Sequence, residues 1–167
     1  MTIKVPVVRN ILEANERLAE DNRRTFRQAG LFVINLMSGP GAGKTSLLER
    51  TIEALQDEIR IGVIEGDIQS SYDAERISQK GVQVVQLNTG GACHLDGNMI
   101  KSSLDALDLD TLDLLVVENV GNLVCPAEFN VGEDMKAMIL SVPAVSYTHL
   151  TLPTIILPCR SRWSPYH

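Results

Sequence analysis

Two places in this 167-residue chain carry side chains able to do chemistry: SGPGAGKTS at residues 38–46, and the neighbours Cys93 and His94 with Cys125 further along. They suit different ligands. In the first, Gly39, Gly41 and Gly43 let the backbone curl and turn its N–H groups toward phosphate oxygens, and a helix starting at Lys44 adds the partial positive charge of its N-terminus. Pro40, Ala42 and Ser46 complete the loop. Lys44 would reach the β and γ phosphates, and Thr45 would give a hydroxyl to the Mg²⁺ that bridges them. Ser38 stands where the general pattern of such loops has glycine; the turn accepts it if Ser38 keeps a negative φ.

A magnesium–phosphate site also needs carboxylates. VIEGD ends on Asp67, and LLVVE ends on Glu118, with Gly121 three residues later. In a parallel sheet the carboxyl ends of the strands share one crevice, so Asp67 and Glu118 would meet the metal or its waters, and Gly121 could offer a backbone N–H to the γ-phosphate. Each acid alone could equally be a solvated loop residue. Asp73, in SSYDAER, is a weaker candidate for a nucleotide-responsive segment.

Cys93 and His94 follow the flexible turn NTGGA, and Cys125 lies in ENVGNLVCPAEF, so all three fall beyond strand ends on the same side of the sheet. Two thiolates and an imidazole suit Zn²⁺ or Ni²⁺ better than Mg²⁺. Three ligands do not close a tetrahedron; a second subunit across a two-fold axis could complete it. The spacing leaves the plainer reading open, in which the cysteines pack as small hydrophobes and the histidine is structural. His149, Cys159 and His167 receive no role.

These residues require a scaffold, and its elements are readable. Apolar positions at helical spacing predict an amphipathic helix from Val8 to Gln28, stopped at Gly30. Strand-length apolar runs follow at Leu31–Met37, Arg60–Asp67, Val82–Leu87, Leu112–Asn119 and Lys136–Val142. Helices are predicted over Lys44–Glu58, Tyr72–Lys80 and His94–Leu107. This alternation implies an α/β fold of the P-loop NTPase type, a mostly parallel sheet with helices on both faces. The length suits one domain. Fifteen basic against twenty-one acidic residues, a net charge of −6, argue against a nucleic-acid partner or an anionic membrane. No run reaches about 18 apolar residues, and three cysteines are too few for a disulfide framework, so the expected compartment is the cytoplasm.

The stretch from Pro143 to His167 differs from the rest: it holds four of the seven prolines, the only tryptophan and no acidic residue. Prolines at 143, 153, 158 and 165 forbid a long helix and fit central strands poorly. The reading is a phosphate-loop domain over 1–142, then an unrelated, non-native or disordered tail over 143–167.

NLMSGPGAGKTSLLE, VIEGDIQSSYDAERI, QLNTGGACHLD and LLVVENVGNLVCPAEFNVGE, in that order, closely resemble the hydrogenase nickel-incorporation GTPase family, the HypB accessory proteins. The resemblance runs from about residue 4 to Val142, and that family's phosphate loop commonly begins with serine, as here. It implies a cytosolic GTPase that dimerises with GTP, binds nickel or zinc, and helps deliver nickel to [NiFe]-hydrogenase. That the domain over 1–142 is a GTPase, truncated and incomplete at its C-terminus, is implied only by this resemblance. Its implied partners are a small nickel-transfer accessory protein and the hydrogenase large subunit. By motif match, Cys93, His94 and Cys125 correspond to the metal ligands, and Gly39 to Thr45 to the phosphate site. MTIKVPVVRNILEANE carries neither the cysteine-rich nor the histidine-rich nickel motif of some members, and no N-K-x-D follows Val142 to read a guanine. Two alternatives stand beside the leading reading: a metal-binding module without productive nucleotide use, and a urease-type nickel GTPase.

Overall fold

The computed structural model describes residues 7–67 and 72–141, and the side chains within them except those of residues 7–9, 67 and 72. The apolar runs become five strands: β1 (Phe32–Ser38), β2 (Ile61–Asp67), β3 (Gln83–Asn88), β4 (Leu114–Glu118) and β5 (Met135–Ile139). All pair in parallel, in the order β3-β2-β4-β1-β5. The helices are α1 (Val7–Gln28), α2 (Lys44–Leu55), α3 (Tyr72–Ser78), α4 (Gly97–Ser103) and α5 (Cys125–Glu128). The fold is the expected α/β P-loop NTPase.

Both sheet faces are covered, which is why the strands read as unbroken apolar runs. Val33, Ile64, Leu115 and Val117 pack with Phe26 of α1, Leu95 and Ile100. Leu36, Val63 and Val116 pack with Leu48 and Ile52 of α2 and Ile77 of α3. Burying one such side chain contributes about 1.5–3 kcal/mol. The crossover from β1 to β2 passes β4, and that from β4 to β5 passes β1. The connections thus leave β1 and β4 in opposite directions, opening a crevice at their carboxyl ends.

Several boundaries differ from the sequence expectation. The helix expected from His94 begins at Gly97, because Asp96 takes the N-cap and its carboxylate accepts the Met99 N–H at 2.8 Å. Cys93 and His94 therefore lie in the loop before it. The α-helix ends at Ser103 and passes into short 3₁₀ turns at 104–106 and 109–111. Helix α2 stops at Leu55, and α5 was not anticipated. Strand β5 spans Met135–Ile139 rather than Lys136–Val142. The expected boundary at Val142 and the tail beyond it lie outside the described residues.

Helix α1 is fastened to two loops. Asn15 accepts the Gly97 N–H at 2.8 Å and donates to the Asn130 carbonyl at 2.8 Å. Asn22 donates to the carbonyls of Gly97 at 2.8 Å and Val131 at 3.1 Å. The approach is close: a Cβ on Gly132 (φ 104°) would stand 2.8 Å from the Ala19 carbonyl oxygen. Among the described residues no helix is long and apolar enough to cross a membrane.

Candidate functional site

The phosphate loop forms as its residues dictate. Gly41 and Gly43 take left-handed φ values of 70° and 94°, and Gly39 does not. Gly43 caps α2, which begins at Lys44. No non-glycine residue among those described has a positive φ, so Ser38 meets the condition set for it. Its buried hydroxyl donates to the Gly39 carbonyl at 2.7 Å and accepts from Lys44 Nζ at 3.2 Å. The loop, Pro40 to Ser46, lines a cavity of about 450 Å³ together with Glu65, Asp73, Arg76, Glu118 and Gly121. Gly121 lies against the loop, where an added Cβ would stand 3.0 Å from Pro40 Cα and 3.2 Å from Pro40 N.

Glu118 ends β4 inside this cavity, only 3% exposed. Its Oε1 accepts the Thr45 hydroxyl at 2.8 Å, while its buried Oε2 meets no hydrogen-bond partner among the described residues. Burial pushes its carboxyl above the usual carboxylate range, against the Thr45 hydrogen bond and the charge of Lys44. A hydroxyl beside a buried carboxylate with an uncommitted oxygen is an all-oxygen donor set, which fits a hard cation such as Mg²⁺.

Asp67 ends β2 in register with Asn88, and its side chain lies outside the described residues. The buried acid on β2 is Glu65, not singled out in the sequence, directly in register with Glu118. Strand alternation was the signal: Glu65 follows Ile61 and Val63 on the face turned toward α2. Asp73 accepts from Arg76 at 3.2 Å, and Arg76 also pairs with Glu49 at 2.5 Å.

The sulfur–nitrogen set converges. Cys93 Sγ lies 3.1 Å from Cys125 Sγ and 3.7 Å from His94 Nδ1, and all three ligand atoms fall within 4.8 Å of one another. Cys93 is exposed; His94 and Cys125 are half-buried. Contact with the Cys93 thiol, then burial, raises the Cys125 thiol. Burial lowers the His94 imidazole against the opposing charge of Asp96, favouring the neutral ring that ligates metals. Phe129 stacks on that ring, centroids 4.0 Å apart and tilted 36°. Neither Phe129 nor the buried Asn119, whose Oδ1 accepts the N–H of Leu95 beside His94 at 3.0 Å, belongs to any recognised ligand pattern.

The chain matches the family model described as CobW/HypB/UreG, nucleotide-binding domain, over residues 32–147. It is 53% identical over 136 residues to the hydrogenase maturation factor HypB of Azotobacter vinelandii, covering 81% of this chain and 45% of that protein. It is 49% identical over 138 residues to that of Rhizobium leguminosarum, covering 83% and 46%. The chain thus spans less than half the length of these curated relatives. Among solved structures, HypB from Helicobacter pylori in complex with nickel superposes with a TM-score of 0.73 at 42% identity, over 78% of this chain and 61% of that one.

Proposed function

The chain belongs to the CobW/HypB/UreG family of nucleotide-binding domains, and from that premise we propose that it couples Mg²⁺-dependent GTP hydrolysis to nickel delivery during [NiFe]-hydrogenase maturation, in the cytoplasm. One observation carries the reading. Residues 118–125 begin at the carboxylate bonded to Thr45 of the phosphate loop and end at a cysteine 3.1 Å from its partner thiol, so a hard-cation site and a soft-metal site lie on one short segment. The relatives named hydrogenase maturation factors and the nickel-bound neighbour support the cargo.

The backbone N–H groups of Gly39 and of residues 41–45, with the Lys44 side chain, cradle the phosphates of GTP. Thr45 and Glu118 hold Mg²⁺, with Asp67 as a further ligand. The ion, when bound, offsets charge on the transferring phosphoryl group. Gly121, packed on Pro40, presents its backbone at the γ-phosphate end of the loop. Cys93, His94 and Cys125 hold nickel as cargo, with zinc as the competing ion. The three ligands leave the shell incomplete, and a second copy of the chain, associating when GTP is bound, completes it. Nucleotide and metal then alter each other's affinity by the same factor, and hydrolysis loosens the metal for transfer to a nickel-carrying accessory protein and on to the hydrogenase large subunit.

The experiment pairs GTP turnover by the wild-type chain and Lys44→Ala with Ni²⁺ titration of the wild type and Cys93→Ala. Lys44→Ala is expected to lose turnover while still binding Ni²⁺, and Cys93→Ala to lose Ni²⁺ while still binding GTP. Equal turnover in the first pair would reject the catalytic assignment, and equal Ni²⁺ affinity in the second the metal one.

A further inference from the structure

Cys93 lies in a loop and Cys125 opens α5, with no covalent tie between them, so their spacing is set by what their backbones are bonded to. One side chain bonds to both. Asn122 Nδ2 donates to the carbonyl of Cys93 at 3.3 Å, and its Oδ1 accepts the N–H of Val124, the residue before Cys125, at 2.9 Å. The main chain of Asn122 forms an antiparallel bridge with Ser38, the residue that opens the phosphate loop. Its neighbour Gly121 packs close to the loop, since an added Cβ there would stand 3.0 Å from Pro40 Cα. Asn122 thus meets the phosphate loop through its backbone and both cysteine segments through its side chain.

Asn119 supports it from the interior. It is fully buried, its N–H donates to the Leu36 carbonyl at 3.0 Å, and its amide bonds to Asn35 at 3.1 Å as well as to Leu95. Asn119 fixes the loop beyond His94 to the sheet, which leaves the Cys93 side of that loop to Asn122. Among the described residues, the Asn122 bond and the thiol contact are the ones that join Cys93 to residues 121–125.

We propose that Asn122 is a positioning residue that sets the Cys93–Cys125 spacing and transmits displacement of the phosphate loop to it, so that nucleotide occupancy changes metal affinity through this side chain. The inference rests on the function proposed above and names the route by which its two sites communicate. A bound polyphosphate that moves Pro40 displaces the surface on which Gly121 packs, the next residue carries the bridge to Ser38, and the amide of that residue holds the Cys93 carbonyl. The contacts form one contiguous chain from phosphate to thiol.

The test uses the full chain as wild type, Asn122→Ala and Asn122→Asp. Aspartate keeps the acceptor for Val124, loses the donor to the Cys93 carbonyl and the Cys125 thiol, and adds a negative charge beside the metal ligands. Co²⁺ affinity is read from thiolate-to-cobalt charge-transfer absorption, with and without a non-hydrolysable GTP analogue and Mg²⁺. Analogue affinity and the thermal midpoint are read separately, without Co²⁺. In the wild type the analogue is expected to shift Co²⁺ affinity. Asn122→Ala should bind Co²⁺ about ten- to a hundredfold more weakly, the usual cost of removing a residue that supports a metal ligand, and Asn122→Asp should lose less because its added charge attracts the cation. Their ratio of Co²⁺ affinities with and without analogue should collapse toward one, while analogue affinity and thermal midpoint stay at wild-type values. A wild-type ratio retained in either variant overturns the inference, however weak that variant's Co²⁺ binding, and so does a ratio of one in the wild type. A wild-type chain that binds no Co²⁺, or no analogue, instead refutes the function above and this inference with it; the single-ligand measurements tell the two failures apart.

Discussion

Replacing Glu118 by glutamine should stabilise the nucleotide-free protein and cut its GTP turnover about a hundredfold. Glu118 holds a carboxylate at a dry strand end, with one oxygen bonded to Thr45 at 2.8 Å and the other without a hydrogen-bond partner among the described residues. Glutamine has the same shape, keeps an oxygen to accept from Thr45, and removes the charge. A buried polar atom left unsatisfied costs about 1–3 kcal/mol, and more when charged. The amide leaves a neutral group in that position, so only the charge-dependent part is recovered. Relief of repulsion from Asp73 adds to that part, and loss of the attraction to Lys44 and Arg76 subtracts from it. The net gain is on the order of 1 kcal/mol, which raises the thermal midpoint of a chain of this size by about 2–4 °C. Turnover should fall by about two orders of magnitude, the scale of removing one electrostatic partner from a transition state. Thermal unfolding by circular dichroism without nucleotide, alongside phosphate release from GTP, reads both. A midpoint below wild type, or turnover within a few-fold of it, would refute the assignment of Glu118 as a metal-holding acid kept at a stability cost.

Gly121→Ala places a methyl group 3.0 Å from backbone of the phosphate loop. Overpacking against backbone costs about 1–3 kcal/mol, and calorimetric titration should show it as weaker nucleotide binding with metal-free folding retained. Asp113 accepts from the Arg60 guanidinium at 2.7 and 2.9 Å and from its backbone N–H at 2.8 Å, which holds the carboxyl well below the usual range. A depressed carboxyl contributes stability above its unfolded pKa and loses it as pH falls through that value toward the folded one. Midpoints measured from about pH 6 down to about pH 3 should therefore drop less in Asp113→Asn than in wild type, with the difference shrinking at high salt because the pair is exposed.

Much of the fold was legible because parallel strands buried on both faces leave unbroken apolar runs, and Ile61–Asp67 and Leu114–Glu118 fall inside the expected segments. Helix starts were harder. His94, Leu95 and Asp96 continue the composition of α4, and only the side-chain bond from Asp96 to Met99 ends the loop there. The short α5 has too few residues for any periodicity to show. Within the candidate site, glycines and the GKT triplet announced the phosphate loop, since their chemistry is local. Glu65 was hidden inside a strand whose other residues are apolar, and its meaning came from a neighbouring strand. Asn122 was hidden for the same reason, because its hydrogen bonds span a loop twenty-nine residues away.

Helix α1 lies ahead of residues 32–147, the stretch that matches the family domain. Yet its Asn15 and Asn22 hold Gly97, Asn130 and Val131, the roots of the loops that bear the imidazole with one thiol and the stacking phenyl ring. The matched domain and the mechanical unit are therefore not the same object. Anyone grafting this thiol–imidazole set into another scaffold must carry the leading helix with it; the matched domain alone brings the phosphate grip and leaves the soft-metal corner without its brace.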